Sequence, residues 1–249
     1  MVTPRDLALE APHIHTTPDS AFGRESRLFQ GIPGIERTRG GRLWVTWYAG
    51  GPDQPGEGPG NYVVLAVSED EGESWQEPAL VIAPGAPLRA YDPCLWIDPL
   101  NRLWLFWAQS EGWYDGRTGV WCIRADHPED PRPEWSAPRR LCDGIMMNKP
   151  TVLSSGEWIL PVSIWPHTGS IHNLQESTGA WVVVSQDDGE TWTRRGRALS
   201  PSRTFDEHMV IARRDGTLWM LIRTELGIAE SVSDDQGWTW TEGKLSTIR

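Results

Sequence analysis

The sequence predicts an all-β protein in which small four-stranded antiparallel sheets repeat radially as the blades of a β-propeller, with about four blades in this chain. Three observations predict it. A short turn-like box recurs along the 249 residues, strand-length runs that are apolar on both faces recur with it, and a composition of 16 Trp, 25 Gly and 20 Pro leaves little room for helix.

The box is S-x-D-x-G-x-[S/T]-W. It is met in full by Ser68 to Trp75, Ser185 to Trp192 and Ser233 to Trp240, and a degenerate copy between Arg124 and Trp135 keeps Asp126 and Trp135. Upstream, Leu43-Trp44, Leu103-Trp104, Trp158-Ile159 and Leu218-Trp219 step at 44, 104, 159 and 219. Earlier still stand Gly31-Ile-Pro33, Tyr91-Asp-Pro93, Asn148-Lys-Pro150 and Asp206-Glu-His208. The three markers share one period of about sixty residues, so each unit is one supersecondary building block.

The units place an arm at residues 1–28 and a propeller domain at 29–249, with blades starting near 29, 89, 146 and 204. A little over four units fit the chain. In each, the first strand opens at the Pro or His marker and the second at the Leu-Trp marker. The third is Tyr62 to Ser68 and its equivalents, and the fourth follows the box Trp. Leu43 to Tyr48, Leu103 to Ala108, Trp158 to Ile164 and Leu218 to Arg223 do not alternate, so both faces of each sheet are covered. The box falls in the turn between third and fourth strands. There Asp70, Asp187 and Asp235 accept backbone hydrogen bonds, Gly72, Gly189 and Gly237 take positive φ, and Trp75, Trp192 and Trp240 plug the gap between sheets.

Charge and composition exclude several functions. A net charge of −11, with Lys only at Lys149 and Lys244, argues against nucleic-acid partners. No run approaches the apolar length of a membrane helix, and residues 1–20 carry His13, His15, Asp6 and Glu10 where a signal peptide needs an apolar core. A cytoplasmic protein without membrane contact is expected. Cys94, Cys122 and Cys142 show no C-x-x-C spacing, and His167-x4-His172 is too loose for a metal, so no metal or cofactor is expected.

From Phe29 to Trp240 the boxes and their spacing resemble the sialidase (neuraminidase) superfamily, whose repeat is the Asp-box or BNR repeat. The resemblance implies a six-bladed propeller type and a glycosidase acting on terminal acidic sugars through an arginine triad, an Asp acid/base and a Tyr nucleophile assisted by Glu. This sequence departs from the pattern at Gln30-Gly31-Ile32-Pro33, where Gly31 stands at the first triad arginine, and a clamp lacking that arm points away from ordinary sialidase activity.

Successive antiparallel strands bring the start of the first and the end of the second to one end of each blade, opposite the boxes. Asp206, Glu207 and His208 are the densest constellation there, an Asp beside a His being able to orient it for acid/base work. Asp92 is a candidate general acid. Arg223, Lys149, Asn148, Gln30 and Tyr91 are candidate substrate contacts, and Trp113 and Tyr114 candidate stacking platforms. An enzyme acting on a glycan with an acidic or deoxy sugar is expected, as a hydrolase with a carboxylate pair or as a lyase in which Lys149 or Arg223 neutralises a uronate while His208 takes the α-proton. A non-catalytic carbohydrate-binding propeller is the alternative. In each case the expected partner is a glycan or oligosaccharide.

Overall fold

The computed structural model describes residues 6–165, 174 and 177–248. His167 and His172 lie outside them. The chain divides into two compact units, the division falling between Arg140 and Leu141.

In the first unit, β1 (Ile14–His15), β2 (Phe29–Arg37), β3 (Leu43–Gly50), β4 (Tyr62–Ser68) and β5 (Gln76–Ile82) form one antiparallel sheet in the order β1-β5-β4-β3-β2. β6 (Leu88–Ile97), β7 (Leu103–Glu111), β8 (Asp115–Ala125) and β9 (Arg139–Asp143), within which the division falls, form the next in chain order. In the second unit, β10 (Thr151–Val152), β11 (Trp158–Ile164), β12 (Gly179–Ser185) and β13 (Thr193–Ala198) precede β14 (Arg203–Ala212), β15 (Leu218–Thr224), β16 (Gly227–Ser233) and β17 (Lys244–Leu245), again sheet by sheet. Each sheet contains the four-stranded blade that the repeat predicts, the first with β1 added at its edge.

Residues 6–28 do more than trail before the first blade. β1 adds a fifth strand beside β5, and Phe22 packs on Ala49, Tyr62, Val64 and Val81 of the first sheet. Asp6 accepts from Ala8 N and Arg117 N, and Gln109 Nε2 donates to the carbonyls of Ala8 and Glu10. The segment closes the outer face of one blade and straps the next.

β4 and β11 are buried at every position, as strands apolar on both faces must be. In the second unit, Leu153, Ile159, Val182 and Val184 of one sheet meet Val210, Leu218, Met220 and Ile222 of the other. The boxes are hydrogen-bonded turns of one design. Asp187 accepts from Thr191 N, Thr191 Oγ1 and Ser185 Oγ at 2.8, 2.6 and 2.8 Å, while Gly189 N donates to Ser185 Oγ. Asp70 and Asp235 repeat the pattern. The Ser74 and Thr191 hydrogen bonds hold the Asp70 and Asp187 carboxyls down at about 2.

Two details of the box go beyond its sequence. The residue before each glycine also has positive φ, at Glu71 (59°), Asp188 (56°) and Gln236 (61°). Each box Trp also folds back, its Nε1 donating to the carbonyl of its own turn glycine at 3.0–3.2 Å. Trp240 packs on the core of the second unit, whereas Trp75 remains 39% exposed.

At the box end of the second unit, Arg195 of β13 pairs with Glu157 and donates to Gln236 O in the next blade's turn. Gly196 passes so close that a Cβ there would lie 2.3 Å from Gly237 O. Gly237 itself combines a φ of 90° with Val182 Cγ2 only 3.1 Å from where its Cβ would stand. Gly237→Ala is therefore expected to lower stability by about 1–2 kcal/mol, read from urea unfolding, because a left-handed backbone disfavours any Cβ. Asp187→Ala is expected to lower the melting temperature by removing the carboxylate that accepts three hydrogen bonds in its turn, and an unchanged melting curve would contradict the turn's structural role.

Candidate functional site

At the end away from the boxes, the first strands of three blades carry the same irregularity. The β2–β3, β6–β7 and β14–β15 pairings break between Gly31 and Gly34, Tyr91 and Cys94, and Arg203 and His208. In each break one non-glycine residue has positive φ: Ile32 (50°), Asp92 (48°) and Asp206 (52°). A bulge re-aims a side chain, and a left-handed non-glycine stores strain of about 1–3 kcal/mol, so these are the places where the blade spends stability on geometry.

In the second unit the expected constellation is brought together but not opened. Asp206 is fully buried, its carboxylate gripped by Arg203 Nε and Nη2 at 2.5–3.1 Å. His208 is 3% exposed. Its Nδ1 lies 2.9 Å from Asp206 O and 3.3 Å from Ser163 Oγ, and its Nε2 lies 2.8 Å from Trp181 O. Burial pushes the imidazole below its ordinary value, and the two carbonyls and the Asp206 charge only partly offset this. The alternation rule holds, since Asp206 and His208 share a direction, but that direction is inward. His208 is a ring locked into the blade, with both nitrogens occupied, and the expectation of an acid/base on an open face is corrected accordingly.

Glu207 points the other way and takes Arg223 Nη1 at 2.7 Å. With Asn148, Met147, Met209 and Ile228 they line a shallow depression of about 450 Å³. Asn148 Nδ2 is spent on His208 O at 2.9 Å, and Lys149 is exposed nearby in sequence. Arg223 also lies over the Phe205 ring at 5.0 Å, so its charge already has a partner and a platform.

The first unit gathers a different set. Tyr48 at the end of β3 is buried, and its hydroxyl donates to Glu57 in the β3–β4 loop. Its pKa is driven far up by burial first, then by that hydrogen bond and by the Asp92 charge. Asp92 is 5% exposed on its bulge. Tyr91, also buried, lies 6.5 Å from Tyr48 ring to ring. Arg89 at the start of β6 is 2% exposed, with its guanidinium carbon 3.8 Å from the Tyr91 ring centroid, 5.3 Å from Trp113 and 5.8 Å from Tyr48. Trp113, 46% exposed, sits at the tip of the β7–β8 hairpin with Tyr114 edge-on at 5.9 Å. Ser110 and Thr118 pin that tip through the carbonyls of Trp113 and Tyr114.

Of the residues expected at this end, Tyr91, Asp92, Trp113 and Tyr114 cluster here. Gln30 lies apart on Arg27, which accounts for its amide oxygen at 3.2 Å. Gly31 is where the resemblance expected an arginine. A Cβ there would stand 3.2 Å from the Phe29 ring and 3.6 Å from the Tyr48 ring, which occupy the space a longer side chain would need. Sequence reasoning missed Arg89, Tyr48 and Glu57. The signal for Arg89 was its place two residues before the Tyr91-Asp92-Pro93 marker.

These blades, boxes and bulges define a β-propeller of the BNR or Asp-box kind. The chain belongs to the BNR repeat-like domain family, whose model matches residues 41–249. A sialidase of Paraclostridium sordellii is 25% identical over 201 residues, covering 70% of this chain and 48% of the relative. Among solved structures, a Hadza microbial sialidase aligns with a TM-score of 0.68 at 20% identity over 89% of this chain and 47% of its own. The intramolecular trans-sialidase of Ruminococcus gnavus aligns with a TM-score of 0.66 at 13% identity over 95% and 74%. The likeness establishes the sialidase-type propeller fold, and the chain spans about half the length of the curated relative it matches. Among the described residues no helix is long and apolar enough to cross a membrane, and no group of three or more His, Cys, Asp or Glu could hold a metal ion.

Because the folded His208 has a lowered pKa, the unfolded chain takes up a proton where the folded chain does not. Stability should then fall as pH drops through about 6.5, the ring's ordinary value. Urea midpoints of wild type and His208→Gln, compared between pH 7.5 and 5.5, check this. The wild type is expected to lose more on acidification, and parallel losses would show that His208 adds nothing to the pH dependence.

Proposed function

We propose that this protein acts on glycans as a glycoside hydrolase-type enzyme, with its sugar site at the Asp92 end of the first unit and a terminal acidic or deoxy sugar as its substrate. One observation carries the reading: two carboxylates, Asp92 and Glu57, both act on the Tyr48 hydroxyl, beside an exposed indole at Trp113. A carboxylate pair is what glycosidic cleavage requires, one group protonating the departing oxygen while the other supports attack at the anomeric carbon. Asp92 is the group we assign to protonation, because it stands buried on its bulge while Glu57 already accepts the Tyr48 hydroxyl. Trp113 and Tyr114 supply ring faces on which a sugar can stack. The sialidases among its relatives lend the reading support, while Gly31 argues against sialic acid as the ordinary substrate.

The lyase alternative needs a base on an open face, and the sealed ring of His208 speaks against it. Arg223, already paired with Glu207, is a weaker candidate for the substrate than for holding the blade face together.

Hydrolysis of a panel of aryl glycosides and aryl uronides tests the proposal. Asp92→Asn is expected to lower turnover by about 10²–10⁴ at an unchanged melting temperature. Trp113→Ala is expected to raise KM more than it lowers kcat. Full turnover in Asp92→Asn would remove the assignment, robust release of sialic acid from an aryl sialoside would remove the substrate claim, and sugar binding without turnover on any substrate would leave a carbohydrate-binding propeller.

A further inference from the structure

The box end of the first unit holds a cavity that the cleavage chemistry above does not use. It measures about 440 Å³ and lies between the first sheet and the segment that carries the degenerate box. The full boxes show why a gap exists here. In the second unit the turn at Gly237 sits directly on β13, so close that Gly196 has no room for a Cβ. In the first sheet the residue equivalent to Gly196 is Ala79, fourth after Trp75 as Gly196 is fourth after Trp192. The turn that would press on it is changed as well. Trp135 stands three positions further from the end of β8 than Trp192 does from the end of β12. The longer segment reaches across to the first sheet and is fixed there: Glu129 Oε1 accepts Gly40 N at 2.6 Å, and Arg42 Nη1 donates to Asp130 O. Pro128, Pro131 and Pro133 restrict its backbone further. The segment is thus a roof held off the sheet, where the full box is a turn packed against it.

We propose that this cavity is a second sugar site, which holds a neutral pyranose without cleaving it. The proposal goes beyond the cleavage reading and uses none of its groups. The lining is divided as the surface of a sugar is. Its floor is apolar and deep, with Trp44, Leu65, Val67 and Leu80 all at most 5% exposed. Trp135, half-buried, stands edge-on to Trp44 at 5.9 Å and offers ring surface to the C–H face of a pyranose. The rim is polar and exposed: Thr16 and Thr17 just past β1, Gln76 of β5 and Arg132 of the roof. Between them these groups donate and accept, as the hydroxyl edge of the same ring requires. Charge selects a neutral sugar. Arg132 shares its segment with Glu129, Asp130 and Glu134, and the chain carries a net −11, so an anionic ring gains little there. Among the described residues no Asp or Glu lines the cavity, and the carboxylate pair for cleavage is therefore missing. Because the roof is already fixed, binding does not have to order a loop.

The test uses the whole chain with the methyl glycosides of glucose, galactose and mannose, with methyl β-D-glucuronide, and with cyclohexanol as an apolar ring. Proton–nitrogen spectra of the 16 indole N–H groups locate the binding, Trp135→Phe and Trp113→Phe identifying the two signals of interest. At least one neutral glycoside is expected to shift the Trp135 signal saturably. It should bind about 3-fold or more tighter than the glucuronide and about 10-fold tighter than cyclohexanol. Ala79→Leu, which fills the cavity, is expected to abolish the shift at an unchanged or higher melting temperature, with hydrolysis of aryl glycosides unaltered. Gln76→Ala and Arg132→Ala change exposed side chains and decide the matter even where Ala79→Leu does not fold. Each is expected to weaken binding about 3- to 10-fold, the worth of one hydrogen bond. No shift of Trp135 by any neutral glycoside, or a shift confined to Trp113, would overturn the proposal. So would cyclohexanol or the glucuronide binding at Trp135 as tightly as the neutral sugars, or unaltered affinity in both rim variants. A Trp135 shift without turnover of any aryl glycoside would uphold this site and remove the hydrolase reading, and turnover without the shift would do the reverse.

Discussion

A β-strand buried on both faces has one requirement that everything else in this protein serves: something apolar must lie against each side of the sheet. β4 and β11 make the demand at every position. In the second unit the neighbouring sheet answers it, Ile159 and Val182 meeting Val210 and Ile222. In the first, Phe22 covers the outer face of the opening sheet. The box is subordinate to the same need. By turning the chain in the fewest residues and satisfying its polar groups internally through Ser, Asp and Thr, it lets Arg195 and Gly196 approach the next turn closely.

The electrostatic design follows from that packing. In a chain with a surplus of acid, arginines serve mostly as stitches: Arg195 to Glu157, Arg203 to Asp206, Arg42 to Glu69. Each spends its planar fork on a carboxylate or carbonyl that the fold supplies. Arg89 departs from that pattern, its buried guanidinium lying against the rings of Tyr91, Trp113 and Tyr48, whereas Arg223 is held by Glu207.

Much of this was legible from sequence because periodicity survives where identity does not. The boxes at Asp70, Asp187 and Asp235 and the doubly apolar strands gave the blades and their order. Tyr91, Asp92, Trp113 and Tyr114 share the end of their blade away from the boxes because antiparallel order fixes which strand ends meet. What could not be read was depth. Asp206 and His208 share a face, as alternation requires, yet nothing in the letters tells that this face is the one packed against the preceding sheet. Arg89 and Tyr48 were hidden for the complementary reason: a charge and a phenol inside apolar runs look like surface residues until the rings that enclose them are seen. The structure of the N-terminal residues was equally hidden, since β1 is two residues long and the segment is anchored by a few scattered side chains, Phe22, Ala8 and Asp6 among them.

The three left-handed bulges at Ile32, Asp92 and Asp206 have a bearing on how such a protein diversifies. The positions are equivalent in their blades, but their occupants are an aliphatic side chain with 39% exposure, a carboxylate beside tyrosines and a carboxylate locked to arginine. The strain at each resides in the main chain, so the same backbone can present an acid, an apolar group or a structural ion without altering the strands that flank it. Repetition thus gives the fold several sockets of one shape, and a new specificity can arise by exchanging what is plugged into one of them while the remaining blades hold the frame constant.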